Sequence, residues 1–373
     1  MEAVVICLIV MSAVYCILSL LLTAGLLIQS EREEIQEPVV SVVIPARNEE
    51  DTIERCLVSV AGIDYPDEKL QIIVVDDHSE DDTSSICESI SGKFADFTLI
   101  RLSELPGAGR GKIAALEHGY REARGEIVVQ TDADCIVPDQ WLRSLTGRFD
   151  RDTGIVGGLT ILESAGTGNA CFTQVQSLDW TYLLSVGAGA NALGFPLSCI
   201  GNNLAVRKAA YESVGGYESI SFSVTEDFAL FKEITRKGWK SRFTVNENSL
   251  VRSRPPGTLR DLFRQRWRWA TGGIKLAGPG IILLAASFLV HCAMVCSILL
   301  GIPPAIWVLC LAATCACDLL FLYSASNKIK RKKLLIYFPL FELYYYLYTI
   351  IIGLLIPFRI PVTWKNRSLS IET

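Results

Sequence analysis

The chain has 373 residues, of which 50% are apolar and only 20% are charged, and its formal net charge at pH 7 is -5. A soluble domain has about 25% charged residues and a disordered chain far fewer apolar ones, so both classes are excluded for the chain as a whole. Its weak acidity gives no reason to expect nucleic acid as a partner.

The first element is an apolar run. Residues 3–30 hold no charged side chain, and about 20 apolar residues suffice to cross a bilayer as a helix. A signal peptide has a basic start and an apolar core of only about 7–15 residues, which does not describe this run. We therefore predict a membrane helix at roughly 4–28, within an N-terminal segment 1–30.

A soluble domain is predicted next, over 38–257. Apolar runs typical of buried strands lie at 39–44, 71–75, 98–102 and 126–131. Helical spacing separates them at 52–60 and 112–123. Strands separated by helices predict right-handed crossovers and a mostly parallel sheet, hence the α/β class. Ligands then bind beyond the carboxyl ends of the strands.

Acidic pairs follow two of these strands. Asp76 and Asp77 close the second run, and Asp132 and Asp134 follow the fourth. Alternation points Asp132 and Asp134 to one side, where their oxygens suit a divalent cation. For 77–79 the alternative remains open that Asp and Ser begin a turn.

Two later stretches can also be explained by a structural role alone. Thr225, Glu226 and Asp227 open a helical segment, where they would serve as a cap with first-turn acids. The segment 258–278 holds arginines interleaved with Leu, Phe and Trp, which is typical of a helix at a membrane surface.

Three further membrane segments are predicted over 279–357, followed by a tail, 358–373. Residues 276–317 carry no charge and are broken by Gly and Pro at 301–304, which predicts spans at 279–300 and 305–326. Residues 334–357 carry only Glu342 and form the fourth predicted span.

Basic residues beside these spans predict their orientation. Seven Lys or Arg lie in 252–275 and five in 328–333, whereas 301–304 holds none. The positive-inside rule therefore predicts a multi-pass protein of the cell membrane with the soluble domain in the cytoplasm. The basic tail would then lie outside. A re-entrant fourth segment and an exported tail both remain open.

Seven stretches in order carry a resemblance to a known family. They are 41–49 (SVVIPARNE), 74–79 (VVDDHS), 111–112 (GK), 132–134 (DAD), 201–203 (GNN), 225–227 (TED) and 265–269 (QRWRW). The chain resembles the membrane-bound branch of glycosyltransferase family two over about 41–270. That resemblance implies a GT-A domain, the Rossmann-like fold of nucleotide-diphospho-sugar transferases.

The resemblance also implies roles for single residues. The nucleotide of the donor would be bound by Pro45, Ala46, Asn48, Glu49, Asp76, Asp77, Lys112 and Asp132. Asp132 and Asp134 would hold Mg2+ or Mn2+, and Asp227 would be the catalytic base. The acceptor and the diphosphate would be held by Glu226, Gln265, Arg268 and Trp269.

The chemistry of sugar transfer asks for the same residue types. A nucleotide diphosphate leaves once a metal and a guanidinium neutralise its developing charge, which favours Asp134 and Arg268 for these tasks. The acceptor hydroxyl must lose a proton, which favours Asp227. One base without a second nucleophilic carboxylate predicts direct displacement, hence inversion at the anomeric carbon.

Two functions fit this pattern. One is transfer of a sugar, expected from a UDP-hexose, to a lipid of carotenoid, hopanoid, sphingoid or glycerolipid type. The other is processive polysaccharide synthesis, which needs an export channel. Four spans are few for a channel, which favours the lipid. A nucleotidyltransferase is a remote alternative, because it would not need the motif at 265–269.

Three ionisable residues fall inside the predicted spans. His291, Asp318 and Glu342 lie roughly 18, 12 and 13 Å from the cytoplasmic side at 1.5 Å per helical residue. Facing lipid would be costly for each, so we expect all three to face the bundle interior. They would either tie the helices together or line the entry of the acceptor.

Overall fold

The computed structural model describes residues 2–29, 37–102, 111–163, 170–221, 223–273 and 278–358, with the backbone of 362–364 and 367–369. Of the predicted tail, 358–373, the residues 359–361, 365–366 and 370–373 therefore lie outside the described part of the chain. Contacts divide the chain into two compact units. The helical unit comprises Met1–Gln29, Gly166–Leu197 and Pro256–Val362, and the sheet unit comprises Ser30–Ala165, Ser198–Pro255 and Thr363–Thr373.

Strands and helices alternate from β1 to β4, as the apolar spacing predicts. The strands are β1 (Val40–Ala46), β2 (Leu70–Asp76), β3 (Phe97–Arg101), β4 (Ile127–Gln130), β5 (Thr153–Gly158), β6 (Thr160–Leu162), β7 (Leu204–Arg207), β8 (Lys240–Thr244), β9 (Val251–Ser253), β10 (Val362–Trp364) and β11 (Arg367–Leu369). The α-helices are α1 (Glu2–Ile28), α2 (Ile53–Ala61), α3 (Thr83–Ile90), α4 (Gly111–Glu122), α5 (Trp141–Thr146), α6 (Ala170–Ala192), α7 (Lys208–Ser213), α8 (Gly216–Ser219), α9 (Glu226–Arg236), α10 (Leu259–Gly273), α11 (Pro279–Leu299), α12 (Pro304–Lys328) and α13 (Phe338–Leu355).

The sheet unit is built on seven strands in the order β3-β2-β1-β4-β7-β5-β8. Neighbouring strands are parallel except at β7, which runs antiparallel to both β4 and β5. Every residue of β1 is buried, which explains its unbroken apolar run in place of an alternating one. The predicted α/β class with a mostly parallel sheet is confirmed.

The strand register brings the predicted site residues to one edge of the sheet. Ala46 at the end of β1 lies opposite Asp76 at the end of β2, and Val43 lies opposite Gln130 at the end of β4. The segments that follow these three parallel strands therefore leave the sheet on the same side.

The helical unit contains the apolar helices. Four helices in the described part of the chain are long and apolar enough to cross a membrane, namely Glu2–Ile28, Pro279–Leu299, Pro304–Lys328 and Lys332–Phe358. They coincide with the four predicted spans to within a few residues. The last begins as a 3-10 helix, Lys332–Tyr337, before α13.

The soluble domain predicted over 38–257 includes the residues of helix α6. This helix nevertheless packs on α1, α12 and α13 and belongs to the helical unit. The contact with α1 is backbone to backbone, because a Cβ added at Gly25 would lie 2.2 Å from the carbonyl oxygen of Gly189. Small residues permit such close helix packing.

The three ionisable residues of the spans face the interior, as predicted. His291, Asp318 and Glu342 are 1%, 1% and 8% exposed. The carboxylate of Asp318 accepts hydrogen bonds from Tyr15 at 2.8 Å and Tyr182 at 3.2 Å. Asp318 therefore ties α12 to α1 and α6, rather than bonding to the other two ionisable side chains.

Candidate active site

The end of β1 and the loop that follows it hold four of the residues expected to bind the donor. Pro45 and Ala46 end the strand, and Asn48 and Glu49 follow it. Asn48 has φ of 51°, a left-handed conformation that Asn adopts more readily than most residues. Its side-chain oxygen accepts the backbone N–H of Glu80 at 2.9 Å, so the loop after β1 is fastened to the loop after β2.

The two aspartates at the end of β2, Asp76 and Asp77, are buried and differ in their partners. Asp76 accepts the backbone N–H of Ser79 at 2.9 Å and a hydrogen bond from the hydroxyl of Ser84. Asp77 lies 3.7 Å from Arg47 and 3.0 Å from a ring nitrogen of His78. Asp76 thus closes a turn onto Ser79, and the roles of Asp76 and Asp77 in donor binding stay predictions.

A lysine from α4 contacts an acidic residue that follows β4 and another at the start of α9. The Nζ atom of Lys112 lies 2.6 Å from a carboxylate oxygen of Asp132 and 3.3 Å from one of Glu226. Burial lowers the pKa of Lys112, but the charges of these carboxylates and of Asp227 outweigh it, so the net shift is upward. The ammonium group is therefore held as a cation at the centre of the cluster.

Asp134 lies in surroundings that disfavour its negative charge. Burial raises its pKa to about 6, with further contributions from the charges of Asp132 and Glu49. One carboxylate oxygen accepts the hydroxyl of Ser253 at 3.2 Å. A group in this position gains from a nearby cation.

This donor set fits a divalent cation that is also bound by a ligand. Asp132 and Asp134 offer the hard oxygen atoms that Mg2+ and Mn2+ prefer. Within the described residues, however, there is no group of three or more His, Cys, Asp or Glu able to hold a metal ion. Phosphate oxygens of a nucleotide would complete the ligand sphere.

Asp227 is oriented by two backbone N–H groups. It accepts the N–H of Gly201 at 2.7 Å through one oxygen and that of Phe228 at 2.8 Å through the other. A Cβ added at Gly201 would lie 3.1 Å from both Asp227 and Gln130, so a larger residue there would require these side chains to shift by a few tenths of an ångström.

A cavity of about 180 Å³ collects most of the predicted donor-binding residues. It is lined by Pro45, Ala46, Arg47, Glu49, Asp77, Lys112, Ala115, Asp132, Ala133 and Asp134. Asn48 lies instead on a neighbouring cavity of about 370 Å³, which Glu49 also lines.

Sequence reasoning missed two residues of this unit. Gly201 was considered only as part of the motif at 201–203, and Gln130 only as part of the strand predicted at 126–131. Gln130 is fully buried and donates to the carbonyl of Gly201 at 2.9 Å, so it supports the loop that holds Asp227. A glutamine at the end of an otherwise apolar strand was the available signal.

The remaining motif residues lie on α10 in the helical unit. Gln265, Arg268 and Trp269 share one face of this helix by their spacing of three and four. The helix begins with a reciprocal cap, in which Thr258 accepts the N–H of Asp261 at 3.1 Å and donates to its carboxylate at 2.6 Å.

We predict that Asp134→Asn stabilises the metal-free protein at alkaline pH. The folded pKa of about 6 exceeds the usual value of 3.8, so the stability that protonation contributes is present below the unfolded pKa and lost as the pH rises through 6. Asparagine mimics the protonated form. The gain should be at most about 3 kcal/mol at pH 8, should shrink toward pH 4, and is measured by thermal unfolding in chelator.

Asp152→Asn is the matched control, because Asp152 is an exposed carboxylate paired with Lys240. It should change stability by less than about 0.5 kcal/mol at either pH. A lower unfolding midpoint for Asp134→Asn at pH 8 would contradict the prediction.

Known proteins with similar sequences are glycosyltransferases and polysaccharide synthases. The probable glycosyltransferase YdaM of Bacillus subtilis is 31% identical over 246 residues, which are 65% of this chain and 57% of that protein. The beta-monoglucosyldiacylglycerol synthase of Synechocystis is 27% identical over 67% of this chain and 50% of its own. The poly-beta-1,6-N-acetyl-D-glucosamine synthase of Staphylococcus epidermidis is 25% identical over 67% of this chain and 57% of its own. The matches thus cover little more than half the length of these relatives.

A solved structure shares the fold. The mannosyltransferase PcManGT of Pyrobaculum calidifontis, in complex with GDP-Man and Mn2+, has a TM-score of 0.63 with 20% identity, and the match covers 96% of this chain and 99% of that one. The motifs correctly indicated a glycosyltransferase of GT-A type, but the family model that matches, over residues 4–373, is that of family 21 and not of family two. The chain belongs to glycosyl transferase family 21.

Proposed function

We propose that this protein is an inverting, metal-dependent transferase that moves a hexose from a nucleotide sugar, preferentially a UDP-hexose, to a membrane lipid. The observation that supports it best is the meeting of Lys112 with Asp132 and Glu226 at the edge of the parallel sheet. This contact joins the proposed donor pocket to the proposed catalytic base, which directly follows Glu226 in the chain.

The donor is proposed to bind in the cavity between β1, β2 and β4. Its nucleoside would contact Pro45, Ala46, Glu49 and Asp77, which line that cavity, with Asn48 and Asp76 supporting the two loops. Its phosphates would meet Lys112. Mg2+ or Mn2+, when held by Asp132 and Asp134, supplies a Lewis acid that neutralises the leaving diphosphate.

The transfer step is proposed to use Asp227 and Arg268. The acceptor oxygen forms its bond to the anomeric carbon while the bond from that carbon to the diphosphate oxygen breaks. Asp227 takes the hydroxyl proton. The guanidinium of Arg268 is proposed to stabilise the charge that develops on the diphosphate, and Gln265 and Trp269 to hold the acceptor.

A lipid acceptor is supported by the membrane segments and by one relative. The four apolar helices give the chain access to a bilayer, and the Synechocystis relative is named for a glucosylated diacylglycerol. The Staphylococcus relative is named for a polysaccharide, so the processive alternative stays an outcome of the test below. The sheet unit is proposed to face the cytoplasm, with the basic residues 328–333 on the same side.

Product masses test this proposal. The purified chain in phosphatidylcholine vesicles is incubated with a panel of nucleotide sugars and total membrane lipid, and the lipids are analysed by mass spectrometry. We expect one lipid class to gain a single hexose. A ladder of many hexoses would establish the processive alternative, and a lipid that gains a nucleotide would overturn sugar transfer altogether.

A further inference from the structure

Helix α6 carries one charged side chain, and it is completely buried. Asp179 is the only charged residue in 164–206, and it is 0% exposed. Its carboxylate accepts hydrogen bonds from the guanidinium of Arg266 on α10 and from the hydroxyl of Tyr344 on α13, the latter at 3.2 Å. Arg266 itself is 1% exposed and donates to Tyr344 at 3.3 Å. All three residues belong to the helical unit.

A buried ion pair such as Asp179 and Arg266 contributes little to the free energy of unfolding. Removing two charges from water costs several kcal/mol per ion, and apolar residues of similar volume in their place are often neutral or stabilising. The hydrogen bonds are also incomplete, because one carboxylate oxygen of Asp179 and one terminal nitrogen of Arg266 are buried without a partner among the described residues. Such a pair is better explained by what it orients.

The group that it orients is the indole of Trp269. The Arg266 guanidinium carbon lies 4.6 Å from the centre of the Trp269 ring. Arg266 and Trp269 are three positions apart on α10, so their side chains are neighbours on its surface. On α6, Trp180 follows Asp179 directly, and its ring centre is 5.1 Å from that of Trp269. Two successive residues of α6 therefore act on the Trp269 indole: Asp179 through Arg266, and Trp180 directly.

We propose that Asp179 and Arg266 are positioning residues. Together with the buried Trp180 they fix the indole of Trp269, and this indole is the surface against which the acceptor packs. Asp179 acts through Arg266, whose planar guanidinium stacks on the ring as an ammonium group would not. The proposal rests on the function proposed above, in which Trp269 contacts the acceptor. It assigns an acceptor-specific role to α6, whose residues lie in the chain between two segments of the sheet unit.

The test compares kinetics for the two substrates. The double variant Asp179→Leu/Arg266→Met removes both charges while nearly keeping the side-chain volumes, and it should fold. The acceptor is supplied as membrane lipid extract diluted into phosphatidylcholine vesicles, with the nucleotide hexose that supports transfer as donor. We expect the apparent acceptor KM to rise about tenfold, as for Trp269→Ala, while the donor KM stays within about twofold.

Arg264→Met is the matched control, because Arg264 lies on the same helix and is exposed, with a side-chain exposure of 48%. It should leave both KM values within about twofold. A folded double variant with an unchanged acceptor KM would overturn the positioning role if Trp269→Ala still raises that KM. If Trp269→Ala also has no effect, the proposed acceptor role of Trp269 fails, and the positioning role fails with it.

If the double variant does not fold, a second variant tests the positioning role. Tyr344→Phe removes only the hydroxyl that bonds both members of the pair. We expect the acceptor KM to rise about threefold with an unchanged donor KM. Equal changes in both KM values, or none in either, would show that the pair serves only to hold the helices together.

Discussion

Replacing Asp227 by Asn is expected to reduce sugar transfer by roughly 10²- to 10⁴-fold or more, the range for loss of a general base. The amide oxygen can keep one of the two hydrogen bonds from the N–H groups of Gly201 and Phe228, but the amide cannot take a proton from the acceptor. Donor binding should be nearly unchanged, because the base acts on the acceptor. Transfer is measured by product mass, and donor binding by calorimetric titration with UDP.

Glu233→Gln provides the control for this prediction. Glu233 lies on the same helix, α9, and pairs with Arg236 near the surface. Its replacement should leave transfer and UDP binding within twofold of wild type. Transfer by Asp227→Asn within a few-fold of wild type would remove Asp227 from the role of base.

Removal of divalent cations is expected to stop transfer without unfolding the protein. Two carboxylates make a poor cage for Mg2+ or Mn2+, so Asp132 and Asp134 should bind the ion firmly only with the phosphates of a nucleotide. Turnover is measured in excess EDTA and after Mn2+ is restored, and the unfolding midpoint is recorded in the same buffers. Full turnover in excess EDTA would contradict the prediction.

Metal binding gives a readout that does not depend on turnover. Electron paramagnetic resonance counts the Mn2+ bound by the protein with and without UDP. We expect UDP to tighten Mn2+ binding at least tenfold in the wild-type protein and to have no such effect in Asp134→Ala. Asp152→Ala, which removes an exposed carboxylate of the same unit, should behave like the wild type. Binding that ignores UDP would argue for a site elsewhere.

Features of the chain that depend on local sequence were predicted correctly. The uncharged runs identified four apolar helices, and the alternation of apolar strands with helices identified a mostly parallel sheet. The acidic residues were expected at the strand ends, and Asp77, Asp132 and Asp134 do line one cavity there. Length, hydropathy and periodicity settle these features, because each is a property of neighbouring residues.

Features that join distant segments were not predicted. The contact of Lys112 with Asp132 and Glu226 depends on how α4 and α9 pack around the sheet. The tie from Asp318 to Tyr15 spans 303 positions in the chain. Periodicity assigns a residue to a face of its own helix, but it does not say which other face covers it.

Helix α6 shows this division most clearly. The sequence by itself determines that 170–192 holds a single charged residue, Asp179, among small and apolar ones, and a carboxylate needs a partner when it is buried. It did not determine that the partner is Arg266, 87 positions later, or that the helix packs with the long apolar helices. Only the tertiary structure decided this, because burying Asp179 is favourable only where a cation is buried with it, and that meeting requires α6, α10 and α13 to be assembled.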